Sequence, residues 1–593
     1  APALATNAFN KLLSRTDIYF GLFTPSLKRS WDGNVKKYNI CTNSNNCALG
    51  NIIDADNNEA IDASNDKFKT TARSEWSGVP DGPAVTQGGA GGRIDTLTKL
   101  YTDTHTNPGS GAAELASSGQ LLNDVGFKLD ASNWDSAALS AMRTSICPTP
   151  STDADSDCEK RMLYLLGKVH RPSPTDFVSN PDQRWTINDV LHSSPAVITY
   201  GGLDTNNDGE INVFFDKVIY GTNDGTLHMV NAETGDEHWR YMPGDFWGQQ
   251  QQIFTNAQGN HLYGLDMTPV IQTLDFNNNG IIEPSASDKI RVFLASRRGG
   301  SNIYALDLTD NVSSVAQEVT PRFLWRIQGG STDFPRLGQT WSQPRLAKIK
   351  INLGDPSTPQ IQIKEVLIFG GGYDPSLDNP STYDTVDHGG TPFLGNAIYI
   401  VDPENGNRLL SISGSSSGTD ISVPGMNFSI PSAVSTVDSD ADGVHDRIYV
   451  GDTGGQVWRV DLAPIETSSG APSPAGETVV GKLAEISSSN NPQKKRRFFE
   501  KPSVVAVNNS PFSNDPEFDY ILMGSGYRPH PLNTEVRDRF YAFRDFQTDP
   551  IVDTNDNNIA DSFEGYPQAS GIPFADNDLI DVTTTILDSS DAA

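Results

Sequence analysis

Positive charge is scarce in this 593-residue chain, where 44 lysines and arginines stand against 74 aspartates and glutamates for a formal net charge of −30. Duplex DNA and anionic membrane surfaces both attract a positive field, so neither is expected as the main partner. No apolar run approaches ~18 residues, which leaves no candidate for a bilayer-spanning helix. The opening Ala1-Pro-Ala-Leu-Ala-Thr6 has no charged segment followed by an apolar stretch and reads as a mature or trimmed end. Histidine is sparse at nine residues, and no Ser/His/Asp set or pair of acids stands out to carry catalysis, so the chain is not read as an enzyme. There are only four cysteines, without the CxxC-type spacing that zinc favours. The polar surroundings of Cys41-Thr-Asn-Ser-Asn-Asn-Cys47, and most of those between Cys147 and Cys158, instead predict two local disulfides and an oxidising compartment.

Acidic residues, by contrast, are placed with regular spacing. From Asp438 to Asp446 the chain reads Asp-Ser-Asp-Ala-Asp-Gly-Val-His-Asp, with carboxylates at relative positions 1, 3, 5 and 9 and Gly443 at position 6. Calcium takes oxygen ligands at about 2.3–2.6 Å, and a sharp turn at position 6 lets alternate side chains and the next carbonyl aim at one point. The expected primary ligands are Asp438, Asp440, Asp442, the Val444 carbonyl and Asp446. Both flanks read as strands, which makes this a hairpin loop and not a helix-loop-helix hand.

Four weaker copies follow the same spacing. One offers Asp553, Asn555, Asn557 and Asp561, with Glu564 at position 12 and Asn558 at the turn, asparagine being the next best residue after glycine for a left-handed backbone. A second offers Asp204, Asn206, Asp208 and Asn212, with Glu210 at the carbonyl position, and a third Asp275, Asn277, Asn279 and Glu283. The poorest runs from Asp54 through Asp56 and Asn58 to Asp62, with Glu59 at the turn. Asp/Asn/Gly clusters also form ordinary turns through side-chain-to-backbone hydrogen bonds, which is the competing reading for each.

From residue 185 onward a unit recurs: an apolar strand ending near glycine, a short turn, then a strand with Trp or Tyr before an apolar-Asp/Asn pair. Val218-Ile-Tyr-Gly221 leads to Met229-Val-Asn231 and His238-Trp-Arg-Tyr241. Val292-Phe-Leu-Ala-Ser296 leads to Ile303-Tyr-Ala-Leu-Asp307 and Phe323-Leu-Trp-Arg326. Further copies pair Val366–Gly370 with Ala397–Asp402, Ile448–Gly451 with Val457–Asp461, and Tyr520–Gly524 with Phe540–Phe543. Units of about four strands repeating in this way predict an all-β propeller of six to eight blades, with seven, in modified form, as the central expectation. Such a propeller can exceed the usual domain size as one unit.

Residues 1–85 are expected to supply strands that complete the propeller, Ala72-Arg-Ser-Glu-Trp76 among them as an outer strand, and residues 185–593 the propeller proper with its hairpin loops. The texture of 86–184 differs. There Ser132 could cap a helix over Asn133–Ile146, and Met162, Leu165, Leu166 and Val169 share a helical face, so an α-rich insertion is expected. A closing strand is expected near Leu579–Thr584. The basic run Lys494-Lys-Arg-Arg497 reads as a solvated loop pairing with nearby acids. The Gly-Gly pairs at 88–92, 299–300, 329–330 and 454–455 fail the dinucleotide pattern and read as turns.

Several of these segments together resemble the PilY/PilC family of type IV pilus tip proteins: Phe23-Thr-Pro-Ser-Leu-Lys-Arg-Ser-Trp-Asp-Gly-Asn-Val-Lys-Lys-Tyr38, Ala72-Arg-Ser-Glu-Trp-Ser77, Asp189-Val-Leu-His-Ser-Ser-Pro195, and the Asp438 loop running into Tyr449-Val-Gly-Asp-Thr-Gly-Gly-Gln-Val-Trp-Arg-Val-Asp461. The resemblance implies a C-terminal propeller whose calcium loop corresponds to Asp438–Asp446. It implies export through the periplasm to the cell surface, pilus tip or outer membrane, and partnership with minor pilins or the tip complex. The implied roles are pilus biogenesis, twitching motility, host or surface adhesion and virulence, with calcium occupancy setting extension against retraction. The family's N-terminal von Willebrand-type module is not seen, since no Asp-x-Ser-x-Ser motif lies near the start, and no Arg-Gly-Asp tripeptide supports integrin binding.

Two other readings compete. The Ala232–Trp239 texture is similar to quinoprotein dehydrogenase repeats, which would imply pyrroloquinoline quinone and an alcohol substrate, but it is not sustained across the repeats and no adjacent Cys-Cys pair exists. A carbohydrate-binding propeller would stack sugars on exposed aromatics such as Trp247 or Tyr373.

Overall fold

The computed structural model describes residues 3–6, 14–43, 47–94, 99–103, 144–146, 161, 164–165, 185–207, 211–378, 393–415, 417–467, 474–487, 492–507, 517–561 and 573–579. The chain divides into two compact units, Ala1–Gln328 and Gly329–Ala593.

Both units are built from antiparallel meanders in which strands adjacent in sequence are neighbours in the sheet. In the first unit these are Ala3–Thr6, Ser14–Thr24, Asp32–Ile40 and Ile52–Ile53; then Ala196–Leu203, Val213–Gly221, Leu227–Asn231 and Glu237–Met242; then Val270–Leu274, Lys289–Ala295, Asn302–Asp307 and Arg322–Gln328. The second unit has Arg345–Asn352, Ile361–Gly370, Ala397–Val401 and Arg408–Ser413; Ser435–Val437, Arg447–Gly451, Gln456–Asp461 and Val479–Glu485; and a three-stranded Ser503–Val507, Phe518–Gly524 and Phe540–Asp545. Repeated up-and-down meanders are propeller blades. The all-β propeller class read from the repeats is the class of this chain.

The repeat has a common local cause. Its apolar-Asp/Asn pair ends a strand, and the terminal side chain accepts the amide two residues on: Glu233 N donates to Asn231 Oδ1 at 2.9 Å, Thr309 N to Asp307 Oδ1 at 2.7 Å, and Glu404 N to Asp402 Oδ1 at 3.0 Å. This Asx turn starts the hairpin. The returning strand carries a bulge just beyond it, with His238, Leu324 and Leu409 as the extra residue opposite Met229/Val230, Ala305/Leu306 and Ile400/Val401 in the three cases. The aromatic of the returning strand then points inward, and Trp239 and Trp325 are buried to within 1%.

The N-terminal sheet does not use Ala72–Trp76 as its outer strand; Ile52–Ile53 takes that place. Asp81 explains the difference, because its carboxylate accepts Ser74 N at 2.8 Å and Ser74 Oγ at 2.7 Å and folds the segment into a turn. Trp76 packs against Tyr19 with ring centroids 5.7 Å apart.

Most of 86–184 lies outside the described residues, including Ser132, Met162, Leu166 and Val169. Residues 144–146, 161 and 164–165 are helical, with Ile146 and Leu165 buried in the core around Trp239. Lys99–Thr102 is a strand, added in parallel to Glu237–Met242. Near the C-terminus the strand is Phe574–Ala575, parallel to Val479–Glu485; Leu579 is not in a strand, and residues 580–584 lie outside the described set.

Cys41 and Cys47 form a disulfide, whereas Cys147 and Cys158 lie outside the described residues. Because the loop closed is so short, the Cys41→Ala/Cys47→Ala double substitution is expected to lower stability by only about 2 kcal/mol in chemical denaturation.

The basic run at 494–497 is not solvated. Lys495, Arg496 and Arg497 are buried, Arg496 and Lys494 reach Asp576 at 2.7 and 2.9 Å, and the Arg497 guanidinium lies 4.2 Å from the Tyr527 ring centroid. An acid far along the chain had packed beside the run, which spacing alone does not reveal.

Candidate metal centre

The Asp438 loop joins Ser435–Val437 to Arg447–Gly451 as an antiparallel hairpin. Three backbone bonds fix its base: Asp446 N to Val437 O at 3.0 Å, Leu462 N to Asp446 O at 2.7 Å, and His445 N to Lys348 O at 2.7 Å. Within it, Ala441 and Gly443 adopt φ of +60° and +88°. A Cβ on Gly443 would meet nothing within 4 Å, so glycine serves here for its left-handed backbone and not for lack of room.

These two reversals turn the loop amides inward. Asp438 accepts Asp442 N at 3.1 Å and Gly443 N at 2.8 Å, and Asp442 Oδ1 accepts Val444 N at 2.8 Å. One carboxylate oxygen from each of Asp438, Asp440 and Asp442 then lies within 4.8 Å of the other two. Among the described residues this is the one group of three acidic, histidine or cysteine side chains so gathered. Asp446 stands apart, its oxygens accepting Ser439 N at 3.0 Å and Ser439 Oγ at 2.7 Å. The Val444 side chain is buried.

A cation is already present at the rim. Lys350 Nζ lies 2.7 Å from Asp442 Oδ2. This ion pair, followed by the Val444 amide, holds the Asp442 carboxyl below its ordinary range, and it raises the Lys350 ammonium.

The weaker loops share the backbone design. Position 4 is left-handed in all five, with φ of +60° at Asn57, +58° at Asn207, +53° at Asn278, +60° at Ala441 and +59° at Asp556. Position 6 is left-handed at Gly280, Gly443 and Asn558. In the Asp553 loop Asn558 N donates to Asp553 Oδ2 at 2.6 Å and Ile559 N to Asn557 Oδ1 at 2.9 Å, the same bonds as around Asp438. Thr554 donates both its amide and its hydroxyl to Asp561, which lowers that carboxyl below its usual range. Asn555 Nδ2 adds a third bond to Asp561 at 2.7 Å. Glu564 lies outside the described residues.

In the Asp275 loop, Gly280 N reaches Asp275 Oδ2 at 2.8 Å, while Glu283 accepts the amides of Asn277 at 3.1 Å and Asn279 at 2.7 Å. Asp275 Oδ1 is buried without a hydrogen bond. In the Asp204 loop Asn212 Oδ1 accepts Thr205 N and Oγ1, both at 3.0 Å; Asn206 is exposed, and Asp208, Gly209 and Glu210 lie outside the described residues. The Asp54 loop is closed by protein, because Arg73 binds Asp56 through Nε at 3.0 Å and Nη2 at 2.6 Å.

Position 2 is a contributor that the ligand spacing overlooks. Ser439, Thr205 and Thr554 each use amide and hydroxyl to hold the side chain at position 9, and their signal in sequence is the hydroxyl residue directly after the first aspartate. Lys350 has no such signal, since it belongs to another sheet.

The Asp438 and Asp553 loops meet at one cleft of about 580 Å³ within the second unit, lined by Ser439, His445 and Asp446 on one side and by Asp553, Asp556 and Asn558 on the other. A buried ion network underlies it. Arg447, the residue after the Asp438 loop, reaches Asp461 and Asp519, each at 3.0 Å. Arg459 reaches Asp461 at 2.7 Å and Asp545 at 2.8 Å, and Ile551 N, two residues before the second loop, donates to Asp461 Oδ2 at 2.7 Å. Both loops therefore stand on one buried ion network.

The aromatics expected to stack on sugar do not line a surface. Trp247 is 3% exposed and Tyr373 0%, with Trp247 Nε1 donating to Thr102 Oγ1 at 2.9 Å and Tyr373 Oη to Asp378 Oδ1 at 2.9 Å. The Trp239 indole is likewise spent on Val319 O at 2.7 Å.

Blade meanders joined by acidic hairpin loops define a β-propeller. Residues 199–492 match the family model described as the PilY1 beta-propeller domain, and the chain belongs to that family. It is 24% identical over 336 residues to the type IV pilus biogenesis factor PilY1 of Pseudomonas aeruginosa (strain PAO1), covering 53% of this chain and 24% of the relative. It is also 24% identical over 276 residues to a PilY1 homolog of Xylella fastidiosa (strain Temecula1), covering 45% of this chain and 18% of that one. The chain thus spans about a quarter or less of the curated relatives it matches. A crystal structure of the P. aeruginosa PilY1 C-terminal domain aligns at 22% identity and a TM-score of 0.35, over 58% of this chain and 59% of that one.

Proposed function

We propose that this chain is the calcium-binding propeller of a type IV pilus protein, acting without catalysis in pilus biogenesis, twitching motility and attachment to surfaces or host cells. Its place is the cell surface or pilus tip, reached by export through the periplasm, with minor pilins or the tip complex as partners. The observation that carries this reading is the convergence of Asp438, Asp440 and Asp442 in a hairpin of a PilY1-family propeller. Three converging carboxylate oxygens, held in place by the loop amides, suit a hard dication, which supplies charge neutralisation when bound. The chain's own residues do the rest: Gly443 and Ala441 shape the loop, Ser439 holds Asp446 in place, and the Arg447 network keeps the hairpin base still. Loss of the charge balance at the rim is the switch that biases a partner surface between pilus extension and retraction. The Asp553, Asp275 and Asp204 loops are proposed as weaker sites in that order, because amides replace carboxylates in each.

In calorimetry, the Asp438→Ala/Asp440→Ala double substitution should abolish the tightest calcium transition while the fold persists. Asp446→Ala should cost less affinity, since Asp446 sits outside the cluster. An unchanged tightest transition in the double variant refutes the site. In the source bacterium the same variant should change surface pili or twitching without loss of the protein from the envelope. Normal piliation with a loop proved metal-free removes the switch, and a bound quinone or alcohol turnover would restore the enzyme reading.

A further inference from the structure

Lys350 lies on Arg345–Asn352, a strand of a different sheet from the Asp438 hairpin. Along that strand Ala347, Ile349 and Ile351 are buried while Lys348 and Lys350 point outward, so the alternation of a half-buried strand puts both lysines on the solvent side. The hairpin is fastened to this strand by backbone, through His445 N to Lys348 O at 2.7 Å. That anchor sets the distance between the Lys350 stem and the loop, and the ammonium ends 2.7 Å from Asp442 Oδ2. The other oxygen of Asp442 is taken by Val444 N at 2.8 Å. Both oxygens of one converging carboxylate are therefore occupied by the chain itself.

We propose that Lys350 is an internal counter-ion of the Asp438 loop, which occupies the Asp442 carboxylate when the loop holds no metal and thereby sets the calcium concentration at which the loop fills. The inference rests on the calcium reading of that loop. An ammonium and a dication on the same carboxylate repel at close range, so filling the loop requires the lysine head to leave. The head is free to do so. The Lys350 side chain is 39% exposed, and a flexible four-carbon stem swings a point charge into water with little loss of packing. With the ammonium in place the bare loop is partly neutralised and stays closed, which lowers the repulsion among its acids; the same charge opposes the incoming ion.

Calcium titration by calorimetry of the full chain tests this with Lys350→Gln, Lys350→Arg and Lys348→Gln. Lys350→Gln should tighten the highest-affinity transition by about tenfold, the size expected for removing one unit charge facing a dication a few ångströms away in high dielectric. Lys350→Arg should bind as the unsubstituted chain does, and Lys348→Gln, an exposed lysine on the same face, should change affinity by less than about twofold. The gap between the unsubstituted chain and Lys350→Gln should narrow between low salt and high salt, because screening weakens an exposed charge term and leaves ligand geometry alone. Equal affinities for the unsubstituted chain and Lys350→Gln at low salt overturn the counter-ion role while leaving the calcium site standing. Equal tightening by Lys348→Gln also overturns it, by assigning the effect to net charge. The absence of any calcium transition in the unsubstituted chain overturns the loop reading, and this inference with it.

Discussion

Asp545→Ala is expected to destabilise the Gly329–Ala593 unit by ~3–5 kcal/mol, the cost of leaving a buried charge without its partner. Arg459 and Asp545 both have side chains at 0% exposure and meet at 2.8 Å. The same carboxylate accepts Tyr449 Oη at 2.7 Å and Gln547 N at 3.1 Å. Removing it strands a guanidinium in the interior, with only Asp461 and backbone carbonyls left around it. Asp545→Asn keeps the volume and an acceptor, and should fall between the two. Urea denaturation, read together with hydrogen exchange of Arg447–Gly451 and Gln456–Asp461, measures the effect. A loss below ~1 kcal/mol would show that the pair contributes no more than an exposed one. Because the network also carries Ile551 N, the substitution should loosen the Asp553 loop as well as the Asp438 hairpin.

The stability of the same unit should rise as pH falls from 8 to 5, and Asp452 should be a main reason. Asp452 is fully buried. Burial pushes its carboxyl up to about 7, against the pull of Trp458 Nε1 and the amides of Gln456 and Gly454. Those donors lie at 3.0, 2.9 and 2.8 Å. A folded-state pKa above the unfolded one means that the native chain binds the proton more tightly. The associated stability is complete below about pH 4 and is lost as pH rises through about 7. Three pH units of separation correspond to ~4 kcal/mol as an upper order of magnitude. The general relief of a −30 charge acts in the same direction, so the contribution of Asp452 is the difference between the unsubstituted chain and Asp452→Asn, whose stability should be flatter across this window. Parallel pH profiles for the two would refute the assignment.

How far the sequence could be read depended on how far apart the interacting groups lie along the chain. The acidic loops are legible because the bonds that turn the backbone close within the loop: Gly443 N to Asp438, Val444 N to Asp442, Ser439 to Asp446. Spacing alone therefore anticipates the turn, and the recurrence of Asx turns at Asn231, Asp307 and Asp402 made the meanders readable for the same reason. The left-handed residue at position 4 also carries a local signal, since three of the five are asparagine. Ala72–Trp76 does not form the expected outer strand because Asp81 claims the backbone of Ser74.

By itself the sequence determined the all-β meander repeat, the five Asp/Asn loops and the Cys41–Cys47 link, all of which are set by contacts between residues close in the chain. Only the tertiary structure decided which cation faces the Asp438 loop, which loops share a cleft, and that Asp461 leaves the Asx-turn role of its counterparts to bind Arg447 and Arg459. It also decided that Trp247 and Tyr373 are core and that Lys495, Arg496 and Arg497 are buried. The physical reason is that ion pairs and burial depend on which sheets pack together and in what register. Strand sequences that are apolar on alternate residues satisfy many such packings equally well until the whole blade set is assembled.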